Sequence, residues 1–574
     1  MTRLVVDPIT RIEGHLRIEA EVDGNGDITR ASSCGTMIRG IEMIMRGRDP
    51  REAWAFSQRI CGVCTTSHGI TSVRAVEDAL GYPIPENAEI IRNLMNGAQY
   101  IQDHVVHFYH LHAMDWVDVV SALNADPALT AQAQRCISDW HNNSTAYFAE
   151  VQQKLKSFVD AGQLGIFKNA YWGHPEYKLP PEINLLAFAH YLEALGWQRS
   201  IAKVHAIFGG KNPHPSFVVG GMPCAIDTRG AATAVNGTNL ALVADLIAEG
   251  REFVDKVYLP DLLAIARFYK DWASKGEGLG NFLSFGDFPQ YDIADPADFF
   301  FPRGAILGRD LSQVLEVDLN DVNQIQELVS HSWYDYSTGK DTPLHPYDGE
   351  TRPHYTGPPL PYSQLDLDAE YSWVKSPRWY GNPMEVGPLA RVVIMYAQGN
   401  NEAVREGVNR FLGELKMPLS ALYSTLGRTA ARGIECSALA GQMELWYRRL
   451  MDNIAAGDTT VFNDALFDPA SWPAQAQGVG FMEAPRGALA HWVVIANGLI
   501  ENFQVVVPTT WNASPRDALG REGPYDAALR GHHLHDPGQP LEVLRTIHSF
   551  DPCMGCAVHF ADPAGNELLK IRVI

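Results

Sequence analysis

The chain has 574 residues, of which 46% are hydrophobic and 20% charged, and its net charge is −21. That length can bury a large, multi-lobed core, and a composition near the globular average excludes a disordered chain. The acidic excess leaves no surplus of positive charge to release counterions from nucleic acid, so no nucleic-acid partner is expected.

The first eight residues, Met1 to Pro8, run directly into fold-like sequence without the apolar stretch of a signal peptide, so export would need a carrier. No run approaches the ~20 uninterrupted apolar residues of a membrane span. Residues 16–30 alternate around Asp23-Gly24-Asn25-Gly26 and predict a hairpin. After Pro85, Ile90, Ile91, Leu94, Ala98, Ile101, Val105, Phe108 and Leu111 recur at three- and four-residue spacing and predict a long helix. Similar periodicity marks 128–160, 183–207 (ended by Gly209-Gly210), 237–273, 401–415 and 418–455. Their apolar faces need one another, which predicts a central bundle. Residues 276–385, rich in Pro, Tyr, Trp, Asp and Gly, read as a long decorated loop region with short strands. Leu489–Val507 predicts a second hairpin folded at Asn497-Gly498, and Gln539-Pro540 opens a short helix leading to Asp551. The fold class expected is mainly α with small β-sheets: a central bundle of long helices with peripheral hairpins and long decorated loops.

Chemistry concentrates at the two ends. Arg59-Ile60-Cys61-Gly62-Val63-Cys64-Thr65-Thr66-Ser67-His68 and Asp551-Pro552-Cys553-Met554-Gly555-Cys556-Ala557-Val558-His559 each hold a Cys-x-x-Cys pair. Two thiolates three positions apart can grip one soft metal, with Gly62 and Gly555 easing the turn. Two pairs make a complete set for zinc, an iron–sulfur cluster or another thiolate-bound metal, and spacing alone does not choose among them. Structural zinc pairs usually lie tens of residues apart, which these do not. The single cysteines Cys34, Cys136, Cys224 and Cys436 form no cluster motif and read as buried small hydrophobes. Gly276–Gly280 and Gly339-Lys340 are poor matches to nucleotide-binding loops. This chain therefore cannot pass electrons onward by itself.

Both terminal motifs, with Arg11-Ile12-Glu13-Gly14-His15, Arg39-Gly40-Ile41-Glu42, Ala484-Pro485-Arg486-Gly487 and Val507-Pro508-Thr509-Thr510-Trp511, closely resemble the signatures of [NiFe]-hydrogenase large subunits, in order along the full length. The related subunit of respiratory complex I lacks the four cysteines. The resemblance implies H2 cleavage to protons and electrons by a Ni–Fe centre, with Cys61 and Cys553 as terminal nickel ligands. Cys64 and Cys556 would bridge to an iron carrying CO and two cyanides. It implies Cys553 as first proton acceptor relaying to Glu13, where the residues alone favour an ion pair of Glu13 with Arg11 or Arg17. Arg486 resembles the arginine suspended over the open metal position, with Asp103, Pro485 and Asp551 around it; Thr509 and Arg486 resemble the cyanide donors, and Pro508 belongs to the same pocket. His68 reads as a hydrogen-bond donor to a bridging thiolate. Val63 and Leu111 match gas-route positions, with core packing the equal alternative. Glu42, His559 and the Val505 carbonyl resemble ligands of a separate Mg2+ or Fe. His104, His107, His110 and His112 read as a hydrogen-bonding core feature rather than a metal site.

Residues 1–559 are thus expected as one domain and 560–574 as an extension cut off after His559 by a maturation endopeptidase, with a plain final strand over Leu568–Ile574 as the alternative. The implied partner is an iron–sulfur small subunit, in a heterodimer or a dimer of heterodimers, with a membrane cytochrome b or quinone-reactive anchor. The resemblance is nearest to membrane-associated respiratory uptake enzymes. It places the pair on the periplasmic face of the cytoplasmic membrane through small-subunit export, with the cytoplasm as the alternative. Two other functions remain at this point: an H2-sensing subunit, against which the tail speaks, and a non-enzymatic four-thiolate zinc or iron–sulfur protein.

Overall fold

The three-and-four spacing after Pro85 folds as a helix from Glu86 to Val106, buried on nearly every side. This is seen in a computed structural model that describes residues 2–38, 40–162, 165, 167, 170–359 and 364–557. The helix lies along Thr425–Ala455, where Gly97 admits Met443, and against Pro181–Ile201. Thr425–Ala455 also packs on Gly237–Phe253, Pro388–Gln398 and Glu402–Leu415. These helices are the expected central bundle. Among the described residues no helix is long and apolar enough to cross a membrane.

Several expected helices are broken, two of them at a residue that explains the break. The 128–160 stretch is two helices, Pro127–Ile137 and Thr145–Asp160, because Ser144 caps the second by accepting from Tyr147 N at 3.1 Å. The 183–207 stretch becomes Pro181–Ile201 and Lys203–Gly209. The 237–273 stretch runs to Phe253, widens into a π-helical turn at Val254–Tyr258 just before Pro260, and resumes over Leu259–Ala266. Proline lacks the N–H that the regular ladder needs, and a wider turn accommodates it. Residues 418–455 start with a 3-10 turn, Leu419–Leu422, and Ser424 caps the helix proper.

Both hairpins form and each gains a strand that its alternation did not reveal. β1 (Thr2–Val6), β2 (Leu16–Val22) and β3 (Ile28–Gly35) make one antiparallel sheet. In the 276–385 region β4 (Phe282–Pro289) pairs with β5 (Phe299–Ile306) and with β8 (Glu385–Val386), while β6 (Ile325–Leu328) pairs with β7 (Ser376–Trp379). β9 (Gln475–Ala484), β10 (Gly487–Ala496) and β11 (Leu499–Val506) make the last sheet. Ala484 faces Gly487 across β9 and β10, so Pro485-Arg486 is a two-residue hairpin turn driven into the interior. Its sheet is pressed against the Ser67–Leu80 helix, which follows the first cysteine pair.

That contact is backbone on backbone. A Cβ on Gly480 would lie 2.0 Å from Thr71 O and 2.3 Å from Ala75 N. Gly480→Ala is expected to cost about 1–3 kcal/mol or more through overpacking. Gly413→Ala, in the last turn of the Glu402–Leu415 helix and exposed with open space around it, should stabilise by up to about 1 kcal/mol. Thermal unfolding of both variants checks the contrast; equal midpoints would refute it.

Candidate metal centre

Each cysteine pair is held by its surroundings. Cys61 follows the 3-10 turn Gln58–Ile60, and its sulfur accepts from Val63 N and Cys64 N, both at 3.3 Å. Gln58 Nε2 binds Thr65 O at 3.1 Å, and Gln99 Nε2 binds Val63 O at 3.1 Å and Asp103 Oδ1 at 2.6 Å. At the other end the Leu541–Ser549 helix delivers Asp551, and Cys553 N donates to Thr509 Oγ1 at 3.0 Å. The segment around Glu13 then runs alongside: Met554 N donates to Glu13 O at 2.8 Å and Glu13 N to Pro552 O at 3.3 Å. Gly14, with φ of 78°, lies so close that a Cβ would meet Gly555 N at 2.6 Å. No larger residue fits that approach.

The four sulfurs meet. Cys61 Sγ lies 3.3 Å from Cys553 Sγ, Cys64 Sγ 3.5 Å from Cys556 Sγ, and Cys553 Sγ 2.8 Å from Cys556 Sγ. All four lie within 4.8 Å of one another and are buried. Tetrahedral bonds of about 2.3 Å to one metal put sulfurs about 3.8 Å apart, so the set fits soft-metal ligation with small adjustment. Burial raises these thiols, but at Cys61 hydrogen bonds with Cys553, Cys556 and Cys64 and the Arg486 charge outweigh it and hold that sulfur well down in the thiolate range. Burial pushes Cys553 and Cys556 up.

Beside the sulfurs, Ala484, Arg486, Leu489, Pro508 and Thr509 close a cavity of about 10 Å³, the size of one water. Arg486 Nη1 reaches Asp103 Oδ2 at 3.0 Å, and Nη2 reaches Asp551 Oδ2 at 3.2 Å. Burial raises Asp103 to about 7 against the pull of Arg486, with the Asp551 charge adding to the rise. Asp551 has φ of 58° and also faces Arg432 at 3.7 Å. Pro485 is the first residue of the hairpin turn, and Pro508 begins the Pro508–Asn512 helix. Glu13 Oε2 accepts from Gly555 N at 2.6 Å and lies 3.3 Å from Cys553 Sγ. Burial, then the Cys61 charge, raises the Glu13 carboxyl. The ion pair with Arg11 or Arg17 does not form: Arg11 pairs with Asp115, and Arg17 with Asp7 at 2.8 Å and Glu19 at 2.7 Å. His68 Nε2 is 3.5 Å from Cys556 Sγ, and its Nδ1 is 3.0 Å from His491 Nε2.

Away from this centre, Glu42 Oε1 accepts from Val505 N at 2.9 Å, and Lys375 Nζ stands 3.4 Å from Glu42 Oε2 and 2.8 Å from Gln504 Oε1. His559, the cleavage position and the 560–574 tail lie outside the described residues. The four clustered histidines are all hydrogen-bonded: His104 to Glu435 at 2.7 Å, His107 to His548 O at 2.7 Å, His110 to Tyr191 O at 3.2 Å and His112 to Thr429 at 3.0 Å. His112, Asp115 and His548 bring donor atoms within 4.8 Å, but Asp115 already pairs with Arg11 and His548. Of the single cysteines, Cys34 and Cys436 are buried as expected, whereas Cys224 is only partly so and Cys136 is exposed on the short polar-flanked helix Pro127–Ile137. The residues that sequence reading missed are supports: Gln58, Gln99, His491 and, beneath the hairpin turn, Arg391. A lone glutamine or arginine in a helix carries no motif, so only the buried amide and guanidinium contacts identify them.

A family model described as nickel-dependent hydrogenase matches residues 39–559, and one described as HoxL-like matches residues 3–34. The chain belongs to the nickel-dependent hydrogenases. It is 54% identical to the uptake hydrogenase large subunit of Rhizobium leguminosarum bv. viciae and 51% identical to the hydrogenase-1 large chain of Escherichia coli strain K12. Each alignment covers 100% of this chain and 97% of the relative. The fold matches the reduced Ni-Fe-Se hydrogenase of D. vulgaris Hildenborough with a TM-score of 0.76 at 33% identity, covering 97% of this chain and 100% of that one. Within the family the chain is the catalytic large subunit of an uptake-type hydrogenase, and the sensor and zinc-protein alternatives are not favoured. Cys556→Ser is expected to cut nickel content by roughly tenfold or more, and His68→Ala to weaken retention about 10–100-fold. Metal analysis of the purified proteins checks both, and native nickel in Cys556→Ser would sink the assignment of that sulfur.

Proposed function

We propose that the four sulfurs hold a nickel–iron pair, with Cys61 and Cys553 terminal on nickel and Cys64 and Cys556 bridging to an iron that carries CO and two cyanides. The carrying observation is that the four sulfurs cluster beside one small cavity, which Cys64, Cys553 and Cys556 line, with Glu13 at one sulfur and Arg486 in its wall. The bound pair supplies the soft, redox-active site at which H2 is polarised and its electrons are accepted. The chain's own groups handle the proton. Cys553 Sγ takes it and passes it to Glu13 Oε2, 3.3 Å away. Gly555 N and the Glu13 backbone pairing keep that carboxyl in place. Asp103 and Asp551 fix the guanidinium of Arg486, which with Thr509 would supply the donors that cyanides on the iron, as buried acceptors, would need. Pro508 and Leu489 line the cavity and keep water out, Pro485 shapes the turn that carries Arg486, and His68 donates to Cys556.

Glu42, the Val505 carbonyl and His559, completed by waters, take the second ion, Mg2+ or Fe, whose hardness suits oxygen donors. Residues 1–559 make the mature domain, and an endopeptidase removes 560–574; that the family match ends at residue 559 supports this. Electrons leave to an iron–sulfur small subunit, since the single cysteines of this chain are scattered. The pair is anchored by a membrane cytochrome b on the periplasmic face of the cytoplasmic membrane, carried there by the small subunit's export signal.

Co-purification with the partner tests the reading: nickel and iron together, infrared bands of CO and cyanide, and H2-dependent dye reduction are expected. Zinc in their place overturns it. Glu13→Gln should lower H2 oxidation by about 10²–10⁴-fold at unchanged nickel content. Intact mass of the nickel-loaded chain should end at His559, and retention of the tail would contradict the cleavage.

A further inference from the structure

Arg486 is the second residue of a two-residue turn, and its guanidinium contacts to Asp103 and Asp551 fix the tip of the side chain, not the backbone it departs from. The two carbonyls just before it belong to another arginine. Arg391, on the Pro388–Gln398 helix, donates from Nη1 to Ala484 O at 3.0 Å and from Nη2 to Pro485 O at 2.9 Å. Its remaining donors go to carboxylates: Nε to Glu435 Oε2 at 2.8 Å, Nη2 to Glu435 Oε1 at 2.6 Å and Nη1 to Glu483 Oε2 at 2.7 Å. A guanidinium has five N–H groups, and all five are used. Arg391, Glu435 and Glu483 are fully buried. Tyr100 OH adds a contact to Ala484 O at 3.0 Å. One helical turn before Arg391, Gly387 lies against the same hairpin turn, where a Cβ would come within 2.8 Å of Arg486 O.

We propose that Arg391 is a positioning residue for Arg486, setting through the Ala484 and Pro485 carbonyls where the guanidinium enters the sulfur cavity. The inference rests on the role given to Arg486 above. Neutralising Glu435 and Glu483 alone needs only positive charge, which lysine also carries. Lysine has three donors on a single nitrogen and cannot span two carboxylates and two carbonyls in one plane. Arg391→Lys therefore separates charge from clamp.

The test is a double-mutant cycle in the purified holoenzyme with its partner subunit: Arg391→Lys, Arg486→Lys and both together. Arg391→Lys is expected to fold with a lowered thermal midpoint, since buried acceptors lose donors, to keep its nickel content, to lose tenfold or more in kcat, and to show Arg486 displaced from Asp103 in a crystal structure. In the Arg486→Lys background the same change should cost less than twofold more. A native rate and an unmoved Arg486 in Arg391→Lys, or losses that multiply in the double variant, would overturn the proposal. Should Arg391→Lys not fold, Arg391→Gln combined with Glu483→Gln removes one charge of each sign and is read by the same criteria. A native rate in Arg486→Lys alone sinks the role of Arg486 instead, while the crystal structure of Arg391→Lys still decides whether Arg391 positions it.

Discussion

The structure depends on one contact: the backbone around Glu13 running beside Pro552–Gly555 so closely that Gly14 and Gly555 leave no room for a side chain. It brings the N-terminal acid to the C-terminal sulfur, and it lies where sulfurs 492 residues apart in sequence come within 3.5 Å. Closing a loop of that length costs roughly 5 kcal/mol of chain entropy beyond a constant. The buried helices, the β9–β10 hairpin pressed onto the Ser67–Leu80 helix, and the shared core of both termini offset that cost.

Charge inside the molecule is organised differently from charge outside. The surplus acidity of the whole chain stands in contrast to its interior, where carboxylates meet cations: Asp103 and Asp551 share Arg486, Glu435 and Glu483 share Arg391, and Glu77 binds Arg92. Buried pairs of this kind seldom add much net stability, because desolvation consumes most of the attraction. What they provide is direction. A guanidinium between two carboxylates has one orientation, and around the sulfurs orientation decides whether a donor faces the cavity.

Much of this was legible in the sequence, for specific reasons. The cysteine pairs, Glu13, Arg486 and Asp551 sit in short motifs whose resemblance extends along the chain, and the structure brings them together. The long apolar periodicities gave the bundle, and Asn497-Gly498 gave its hairpin. Breaks inside helices were hidden, since Ser144 and Pro260 act within stretches whose apolar spacing carries straight through them. β1 and β9 were hidden because their partners, not their own alternation, make them strands; β9 is set by Gly478 and Gly480 fitting under a helix. Arg391 and Gln99 were invisible because no local motif marks them, and the groups through which they support the site are backbone carbonyls, which every residue has. The exposed Cys136 shows the converse, a residue type typical of cores placed on a surface.

The sulfurs that stand opposite one another come from the first and last eighths of the chain. On the ribosome the Cys61 turn emerges and can fold long before Cys553 has been translated. No chain that stops before Cys556 contains the whole set of sulfurs, so the pocket can be completed only when translation is almost finished. Prematurely terminated chains are thereby barred from capturing the metals, a form of proofreading written into topology alone.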